Sequence, residues 1–341
     1  MLIAAVETAT PTLLVHLERL AGQDGLSLAI TRQRGNALGL ASSSSSSAEQ
    51  GALLLRGSQL SSVAFVKQLA GVLPSDSGPI ALDRRLAVEA ADAIATASMK
   101  LAKQARLLPA VLLVPSAPLD HALTITTAQL ERWEPSTNVE LERISEARVP
   151  LAGHEDCRLV LFRDSRDGSE HVAVLIGAPK SAPVSVRLHS ACLTGDLLAS
   201  LRCDCGDQLR SGVKQLAAAG GGVLLYLAQE GRGIGLANKL RAYELQDTGL
   251  DTIEADGRLG FGADERSYGV AASMLRHLGM TRIQLLTNNV EKIEALRSAG
   301  IEVVGGQRLI GAVNRHNARY VHAKRERAGH LMPAINLDEI L

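Results

Sequence analysis

The chain has 341 residues, of which 46% are hydrophobic and 21% charged, and its formal net charge is zero. This length favours two domains, and the apolar content is enough for a sizeable core. A neutral chain has no overall field that would draw it to nucleic acid or to an anionic membrane, so neither is an expected partner. Glu7 interrupts the N-terminal apolar stretch, and no apolar run reaches the roughly 18 residues that span a bilayer, which together predict a cytoplasmic protein.

Residues 1–142 are rich in Ala, Leu and Ser and carry few polar signals. The serine run Ser42–Ser47 predicts a flexible surface loop. Apolar spacing predicts a helix over Leu86–Leu108 that stops at Pro109, and Pro109–Pro115 predicts a short buried strand. We interpret this half as a separate α/β domain, for which packing or dimerisation is the expected role.

From about Arg143 the sequence alternates between strand and helix patterns. Strands are predicted over Arg158–Arg163, His171–Ile176, Val184–His189, Val223–Ala228, Arg282–Leu286 and Ile301–Val304. Helices are predicted over 206–219, Leu236–Asp247, 265–278 and 290–299. The fold class is therefore predicted to be α/β in the mixed α+β sense. The basic tail from Asn314 is expected to be solvated or disordered.

Three of the four cysteines cluster in one short stretch, as Cys192, Cys203 and Cys205. Thiolates select zinc over hard cations, and a Cys-x-Cys segment can place two sulfurs on one ion. Three protein ligands with one open position is the arrangement of a catalytic zinc. Two alternatives stay open from spacing alone: a closed structural site completed by His189 or Cys157, and three unrelated buried thiols.

Two turns have the features of anion-binding sites. Glu230–Gly235 (EGRGIG) lies between a predicted strand and a predicted helix, so its glycines allow backbone N–H groups to approach phosphate oxygens, and Arg232 adds a guanidinium. Thr287–Asn289 precedes another helix, with Lys292 in the first turn of that helix. The alternatives are a turn that binds nothing in the first case and a plain Asn cap with a solvated lysine in the second.

Two further polar residues have both a structural and a functional interpretation. Asp264 stands at the start of the helix predicted over 265–278, where it is either an N-cap or a proton-transfer group. Tyr243 falls on the same helical stripe as Leu236 and Leu240, so it is either a core residue or a hydroxyl donor near the metal.

Four segments together resemble the GTP cyclohydrolase II family, over about residues 143–335. They are HSACLTGDLLASLRCDCG, LYLAQEGRGIGLANKLRAYELQDTGLDT, LGFGADER and LLTNN, in this order and with the family's spacing. The resemblance implies that Cys192, Cys203 and Cys205 bind one zinc ion per chain. It implies catalytic roles for Asp264 as proton acceptor, Arg266 as nucleophile toward the α-phosphate, and Tyr243 near the reacting ring.

The same resemblance implies a set of residues that contact GTP: Arg187, Leu188, His189, Ser190, Ala191, Gln208, Glu230, Gly231, Arg232, Thr252, Thr287 and Lys292. The implied reaction converts GTP and water to 2,5-diamino-6-(5-phosphoribosylamino)pyrimidin-4-one, formate and diphosphate, in riboflavin biosynthesis. Zinc serves the ring, magnesium accompanies the triphosphate, and the family members are usually homodimers. The alternatives are a non-catalytic nucleotide-binding relative and a cyclohydrolase that stops at a formylated product.

The chain departs from the family pattern at two positions and in its N-terminal half. The family usually has Glu at the position of Ala191 and Pro at that of Val290. Residues 1–142 stand where bifunctional relatives carry a 3,4-dihydroxy-2-butanone 4-phosphate synthase, but they lack its acidic motif and look degenerate for that reaction. We therefore predict three sections: an N-terminal domain at 1–142, a catalytic domain at 143–335 and a tail at 336–341.

Overall fold

The computed structural model describes residues 1–22, 25–40, 51–72, 80, 82, 85–116, 122–133, 139–179, 182–309, 313–318 and 321–322. The predicted loop Ser42–Ser47 and the predicted tail 336–341 lie outside these residues. The chain forms two compact units. The first unit comprises Met1–Glu134 and Ile234–Glu265, and the second comprises Pro135–Gly233 and Arg266–Leu341. The segment Ile234–Glu265, which the sequence assigned to the catalytic domain, is therefore part of the first unit.

The described elements are as follows. The strands are β1 (Leu2–Ala5), β2 (Ser27–Thr31), β3 (Ala52–Arg56), β4 (Ala87–Ala90), β5 (Ala110–Val114), β6 (Leu141–Arg148), β7 (Cys157–Asp164), β8 (Glu170–Ile176), β9 (Val184–Ser190), β10 (Gly222–Leu227), β11 (Arg282–Leu286) and β12 (Glu302–Gln307). The helices are α1 (Pro11–Ala21), α2 (Arg32–Ala37), α3 (Val63–Ala70), α4 (Ala93–Gln104), α5 (Thr127–Trp133), α6 (Cys205–Ala218), α7 (Gly235–Asp247), α8 (Thr252–Arg258), α9 (Gly269–His277) and α10 (Val290–Ser298). Among the residues described, no helix combines the length and the apolar character needed to cross a membrane.

The first unit is built on an antiparallel five-stranded sheet in the order β1-β5-β2-β3-β4. Both faces of this sheet are covered. Alternate residues of β5 show this, because Leu112 joins a core with α1 and α3, whereas Val111 and Leu113 join a second core with α4. A strand that is buried on both faces must be apolar at every position, which is why Ala110–Val114 reads as one continuous hydrophobic run.

The second unit is built on a mixed seven-stranded sheet in the order β12-β11-β9-β10-β8-β7-β6. Strands β12, β11, β9 and β10 are parallel, and β8, β7 and β6 continue the sheet as an antiparallel meander. Helix α9 covers one face through residues such as Met274 and Leu275, and α6 covers the other through Leu216. The predicted fold class, mixed α/β with a separate N-terminal α/β unit, is confirmed.

Most of the predicted strands and helices are present within a residue or two, but three expectations are wrong. Leu86–Leu108 is not one helix, because Ala87–Ala90 pairs with β3 and Asp92 caps a shorter helix through the Ala95 amide. The helix predicted over 265–278 begins only at Gly269, so Asp264 is not its N-cap. The tail from Asn314 is not wholly solvated, since Ala318 and Val321 are fully buried.

The central strand β10 should contribute far more to stability than the edge strand β12. Val223 on β10 is fully buried, whereas Val304 on β12 is largely exposed. We expect Val223→Ala to lower the free energy of unfolding by about 2 kcal/mol or more, because two buried methyl groups are lost and a cavity is left. The matched change Val304→Ala should cost less than about 0.5 kcal/mol. Urea unfolding of both variants measures this, and equal midpoints would contradict the assignment of β10 to the core.

Candidate metal and nucleotide site

Three neighbouring parallel strands end at the same edge of the second sheet. Strand β9 lies between β11 and β10 and runs parallel to both, so the carboxyl ends of all three strands meet at one edge. The segment from β9 to the start of α6, which carries Cys192, Cys203 and Cys205 and is called the cysteine loop, follows β9. The Glu230–Gly233 turn follows β10, and Thr287–Asn289 follows β11. The carboxyl edge of parallel strands is where α/β proteins generally bind ligands. Three motifs that are far apart in sequence are thus brought to one place.

The three clustered cysteines form a compact group of sulfurs. The Sγ atoms of Cys192, Cys203 and Cys205 all lie within 4.8 Å of one another, and Cys192 Sγ is 3.7 Å from Cys203 Sγ. A tetrahedral zinc with bonds of about 2.3 Å needs its sulfurs roughly 3.8 Å apart. The geometry therefore suits one zinc ion, and the interpretation as three unrelated buried thiols is wrong.

A glycine makes room for this cluster. Leu193–Leu197 forms a turn of π-helix between the first and second cysteines. A Cβ atom on Gly195 of this turn would lie 2.7 Å from Cys203 Sγ and 2.9 Å from Cys205 Cβ. The Gly195 amide also donates to Cys192 Sγ at 3.4 Å. The absence of a side chain at this position is therefore a condition for bringing the sulfurs together.

The cluster favours a bound cation. The hydrogen bond with Cys192 raises the pKa of the Cys203 thiol and burial adds to the rise, while hydrogen bonds with Cys205 oppose it, so the neutral thiol of Cys203 is favoured when no cation is bound. A divalent cation reverses this balance because it stabilises the thiolate forms. A closed four-ligand site is not supported. Cys157 lies on β7 in an apolar core with Leu216 and Leu224, and no other His, Cys, Asp or Glu among the described residues joins the three cysteines.

His189 is held by a carboxylate that the sequence analysis missed. Its Nε2 atom lies 3.0 Å from both carboxylate oxygens of Asp196, and its ring stacks on Tyr226. Asp196 also accepts from the Tyr226 hydroxyl and from the Cys192 amide, each at 3.0 Å. Burial lowers the pKa of His189 although Asp196 opposes this shift. The position of Asp196, inside the cysteine loop and four residues after Cys192, was the available signal.

A second network of polar side chains is connected to the Cys-x-Cys segment through Asp204. The buried Arg187 donates to Gln208 Oε1 at 2.7 Å, and Gln208 Nε2 donates to Asp204 Oδ2 at 2.6 Å. Arg187 also donates to the carbonyl of Leu286 on β11. Burial lowers the pKa of Arg187 to about 10, and Asp204 opposes the shift. Asp204, which lies between two of the cysteines, was also missed, and its polar partners fix the segment that carries them.

The Glu230–Gly233 turn is tied to the cysteine loop and has an unusual backbone. Glu230 Oε2 accepts from the Leu193 amide at 2.6 Å, which links the two loops directly. Gly231 and Arg232 both have left-handed backbone angles, with φ of 62° and 59°. A non-glycine residue in this region costs on the order of 1 kcal/mol, and such strain is concentrated at functional sites. The turn between strand and helix is as predicted.

Lys292 is buried rather than solvated. Its side chain is only 7% exposed, and its Nζ atom donates to the Leu188 carbonyl at 3.3 Å. The ammonium lies 5.8 Å from the centre of the Tyr268 ring, and the Arg266 guanidinium lies 5.6 Å from the same ring. Asn289 does cap α10, through the Glu291 amide at 2.8 Å. Of the alternative interpretation, the Asn cap is confirmed and the solvated lysine is wrong.

Three of the implied site residues lie in the first unit, within Ile234–Glu265. Tyr243 is half-buried on α7, and Lys239 lies 5.7 Å from the centre of its ring. Thr252 is the first residue of α8, behind the cap Asp251. Asp264 lies in the non-helical stretch between α8 and α9. The remaining implied residues lie in the second unit.

A mixed sheet that carries a three-cysteine cluster and two loops suited to anions at one edge defines a metal-binding α/β protein. The family model "GTP cyclohydrolase II" matches residues 142–308. A GTP cyclohydrolase-2 of Azotobacter vinelandii is 54% identical over 180 residues, which is 52% of this chain and 86% of the relative. The chain belongs to the GTP cyclohydrolase II family.

Other comparisons extend beyond the family domain. A GTP cyclohydrolase-2 of Azospirillum brasilense is 49% identical over 247 residues, which is 69% of this chain. The match spans 64% of that relative, slightly less than two thirds of its length. The crystal structure of RibBX, a two-domain 3,4-dihydroxy-2-butanone 4-phosphate synthase from A. baumannii, aligns over 90% of this chain and 91% of its own, with a TM-score of 0.34 and 16% identity.

Gly195 provides a direct test of the metal site. We expect Gly195→Ala to weaken zinc binding by about 10- to 100-fold, the loss typical of changes that disturb the support of metal ligands. The added methyl group would overlap the positions of the Cys203 and Cys205 side chains. Competition with a chromogenic chelator measures the affinity. Gly305→Ala is the control, because a Cβ atom there meets nothing within 4 Å. Unchanged affinity in Gly195→Ala would contradict the described geometry.

Proposed function

We propose that this chain is a zinc-dependent GTP cyclohydrolase that releases formate and diphosphate from GTP and forms 2,5-diamino-6-(5-phosphoribosylamino)pyrimidin-4-one, the first step of riboflavin biosynthesis. The observation that carries the proposal is the group of three sulfurs within 4.8 Å at the carboxyl edge of the sheet, in a chain of this family. A protein that only bound nucleotide would have no use for three metal ligands with an open position.

Cys192, Cys203 and Cys205 would hold the zinc ion. When bound, zinc supplies an acidified water molecule for attack on the purine ring. Three thiolates donate much negative charge, so a separate proton acceptor is needed, and Asp264 is the residue proposed for that role. Tyr243 is proposed to donate a hydroxyl group near the reacting ring.

The charge distribution in the second unit supports a polyanionic substrate. Burial is the main cause of the lowered pKa of Arg187 and of His189, and nearby cations add to both shifts: Arg266 for Arg187, and Arg187 with Lys292 for His189. Buried cations that repel one another are stabilised when an anion binds among them. A triphosphate supplies that anion.

The remaining substrate contacts are proposed by correspondence with the family. The Glu230–Arg232 turn would approach the phosphates, as backbone amides at such turns do. The full proposed set is Arg187, Leu188, His189, Ser190, Ala191, Gln208, Glu230, Gly231, Arg232, Thr252, Thr287 and Lys292. Magnesium is proposed to accompany the triphosphate, and a homodimer is the proposed assembly.

Arg266 is proposed to stabilise charge on the α-phosphate. A guanidinium group remains protonated throughout the accessible pH range, so it is a poor nucleophile and a good electrostatic partner for phosphate. Its position over the Tyr268 ring, 5.6 Å from the centroid, supports a guanidinium that stays charged. The family role of nucleophile is the alternative.

The test follows formate, diphosphate and the pyrimidine product together, with GTP and magnesium supplied. We expect Cys205→Ser to lose zinc and formate release while it keeps some diphosphate release, because the proposed phosphate-binding groups lie outside the cluster. Arg266→Ala should suppress diphosphate release. Cys157→Ala is the matched control, because this cysteine is buried in an apolar core and should leave zinc content and turnover intact.

Each outcome has a defined meaning. A wild-type protein that binds GTP and zinc but releases neither formate nor diphosphate would be a non-catalytic relative. Accumulation of a formylated pyrimidine would instead favour the cyclohydrolase that stops early. Full formate release by folded Cys205→Ser would remove the cluster from the reaction.

A further inference from the structure

The segment Ile234–Glu265 shares its apolar core with residues of the N-terminal half. Ile234, Ala242, Ala255, Leu259 and Phe261 form an apolar cluster with Leu108, which directly precedes β5. Val72, which follows α3, packs against the same cluster. Helices α7 and α8 pack against each other, and Leu108 and Val72 complete the apolar cluster. We call Ile234–Glu265 the inserted segment.

Polar contacts fix the end of α8 to the N-terminal half. Arg34 on α2 donates to the Arg258 carbonyl at 2.6 Å. The same guanidinium donates to the carbonyls of Leu69 and Gln68 at the end of α3, at 2.7 and 2.8 Å. The Thr31 hydroxyl donates to the Gly260 carbonyl at 2.8 Å. The buried Arg34 guanidinium thus donates to carbonyl groups at the ends of both α3 and α8, and in this way links the two helices.

The start of α7 is fixed in the same way. The fully buried Asn238 donates to the Arg106 carbonyl at 3.0 Å. Arg241 donates to Glu7 Oε1 at 2.7 Å, and Glu7 Oε2 accepts from the Leu108 amide at 3.0 Å. Residues from both ends of the N-terminal sequence therefore hold the helix that carries Tyr243.

The last of these contacts lies beside Asp264. Lys103 on α4 donates to Glu265 Oε1 at 2.6 Å, and the same oxygen accepts from the Gly262 amide at 2.7 Å. Lys103 Nζ also lies 5.9 Å from the centre of the Phe261 ring. One ammonium group therefore holds both the residue before and the residue after the turn Gly262–Ala263–Asp264.

We propose that Lys103 is a positioning residue for Asp264, and that the N-terminal half serves to hold the active-site segment in place. The proposal rests on the proposed function, in which Asp264 accepts protons. The side chains of Lys103 and Glu265 are only 28% and 23% exposed, so their attraction is less screened than that of a surface pair. The N-terminal half, although degenerate for a second reaction, would thus still contribute to catalysis by positioning Asp264.

The effect should appear in the rate of the chemical step rather than in substrate binding. A proton acceptor works only within hydrogen-bond reach of its target, and a misplacement of 1 Å can cost about 100-fold. We expect Lys103→Met to lower kcat about 10-fold or more while KM for GTP changes less than about 2-fold. Zinc content should equal that of the wild type, because the three cysteines lie outside the first unit.

The experiment uses the full chain and four variants. Lys103→Met removes the ammonium, and Glu265→Gln removes the opposing charge while it keeps an acceptor for the Gly262 amide. Lys103→Arg should keep kcat within about 3-fold of the wild-type value, since a guanidinium can donate to the same carboxylate. Lys100→Met is the matched control, because Lys100 is exposed on the same helix and should leave kcat unchanged.

The outcomes separate this proposal from the proposed function. No formate from the wild-type protein would refute the proposed function itself. An active wild type with an equally active, folded Lys103→Met variant would overturn only the positioning role. A parallel fall of kcat and zinc content, or loss of folding in both Lys103→Met and Glu265→Gln, would make the pair a stabilising element and would also overturn it. A low kcat that Lys103→Arg restores supports it.

Discussion

The placement of three sulfur atoms within 4.8 Å of one another constrains most of the second unit. The hydrogen bond with Cys192 and burial hold the pKa of the Cys203 thiol above its ordinary value, although Cys205 opposes this shift. Several contacts hold the three sulfurs in place. Asp196 accepts from the Cys192 amide, and Asp204 with its partners fixes the Cys203–Cys205 segment. Gly195 has no side chain, which leaves room for the sulfurs to approach one another. The order of strands β11, β9 and β10 supplies the edge at which these contacts lie.

The same edge also holds two buried cations. Arg187 and Lys292 are buried there, and each has a carbonyl partner from a neighbouring strand, Leu286 for Arg187 and Leu188 for Lys292. Carbonyl groups stabilise a cation without neutralising it, and the buried carboxylates of Asp196 and Asp204 lie at the same edge. The three-cysteine cluster and two buried cations therefore lie at one edge of the sheet.

The sequence predicted the parts of this structure that depend on local pattern. Continuous or alternating apolar runs located β5, β7, β8 and β10, and the spacing of the three cysteines predicted the metal cluster. Two residues whose roles depend on side-chain hydrogen bonds were missed. Asp196 and Asp204 look like ordinary surface carboxylates in sequence, and only their hydrogen bonds to His189 and Gln208 reveal their function. A solvated Lys292 stayed open as an alternative, since helix patterns do not report what covers a side chain.

The inserted segment also determines when the N-terminal half can complete its contacts during synthesis of the chain. Thr31 bonds to Gly260 across 229 positions, and Glu7 to Arg241 across 234. At a synthesis rate of about 5 to 20 residues per second, the roughly 100 residues between Glu134 and Ile234 take about 5 to 20 s to emerge. During this interval Leu108 and the Arg34 guanidinium lack their partners in the inserted segment. The nascent N-terminal half therefore carries polar and apolar groups whose partners are added only after residues 135–233 have been made.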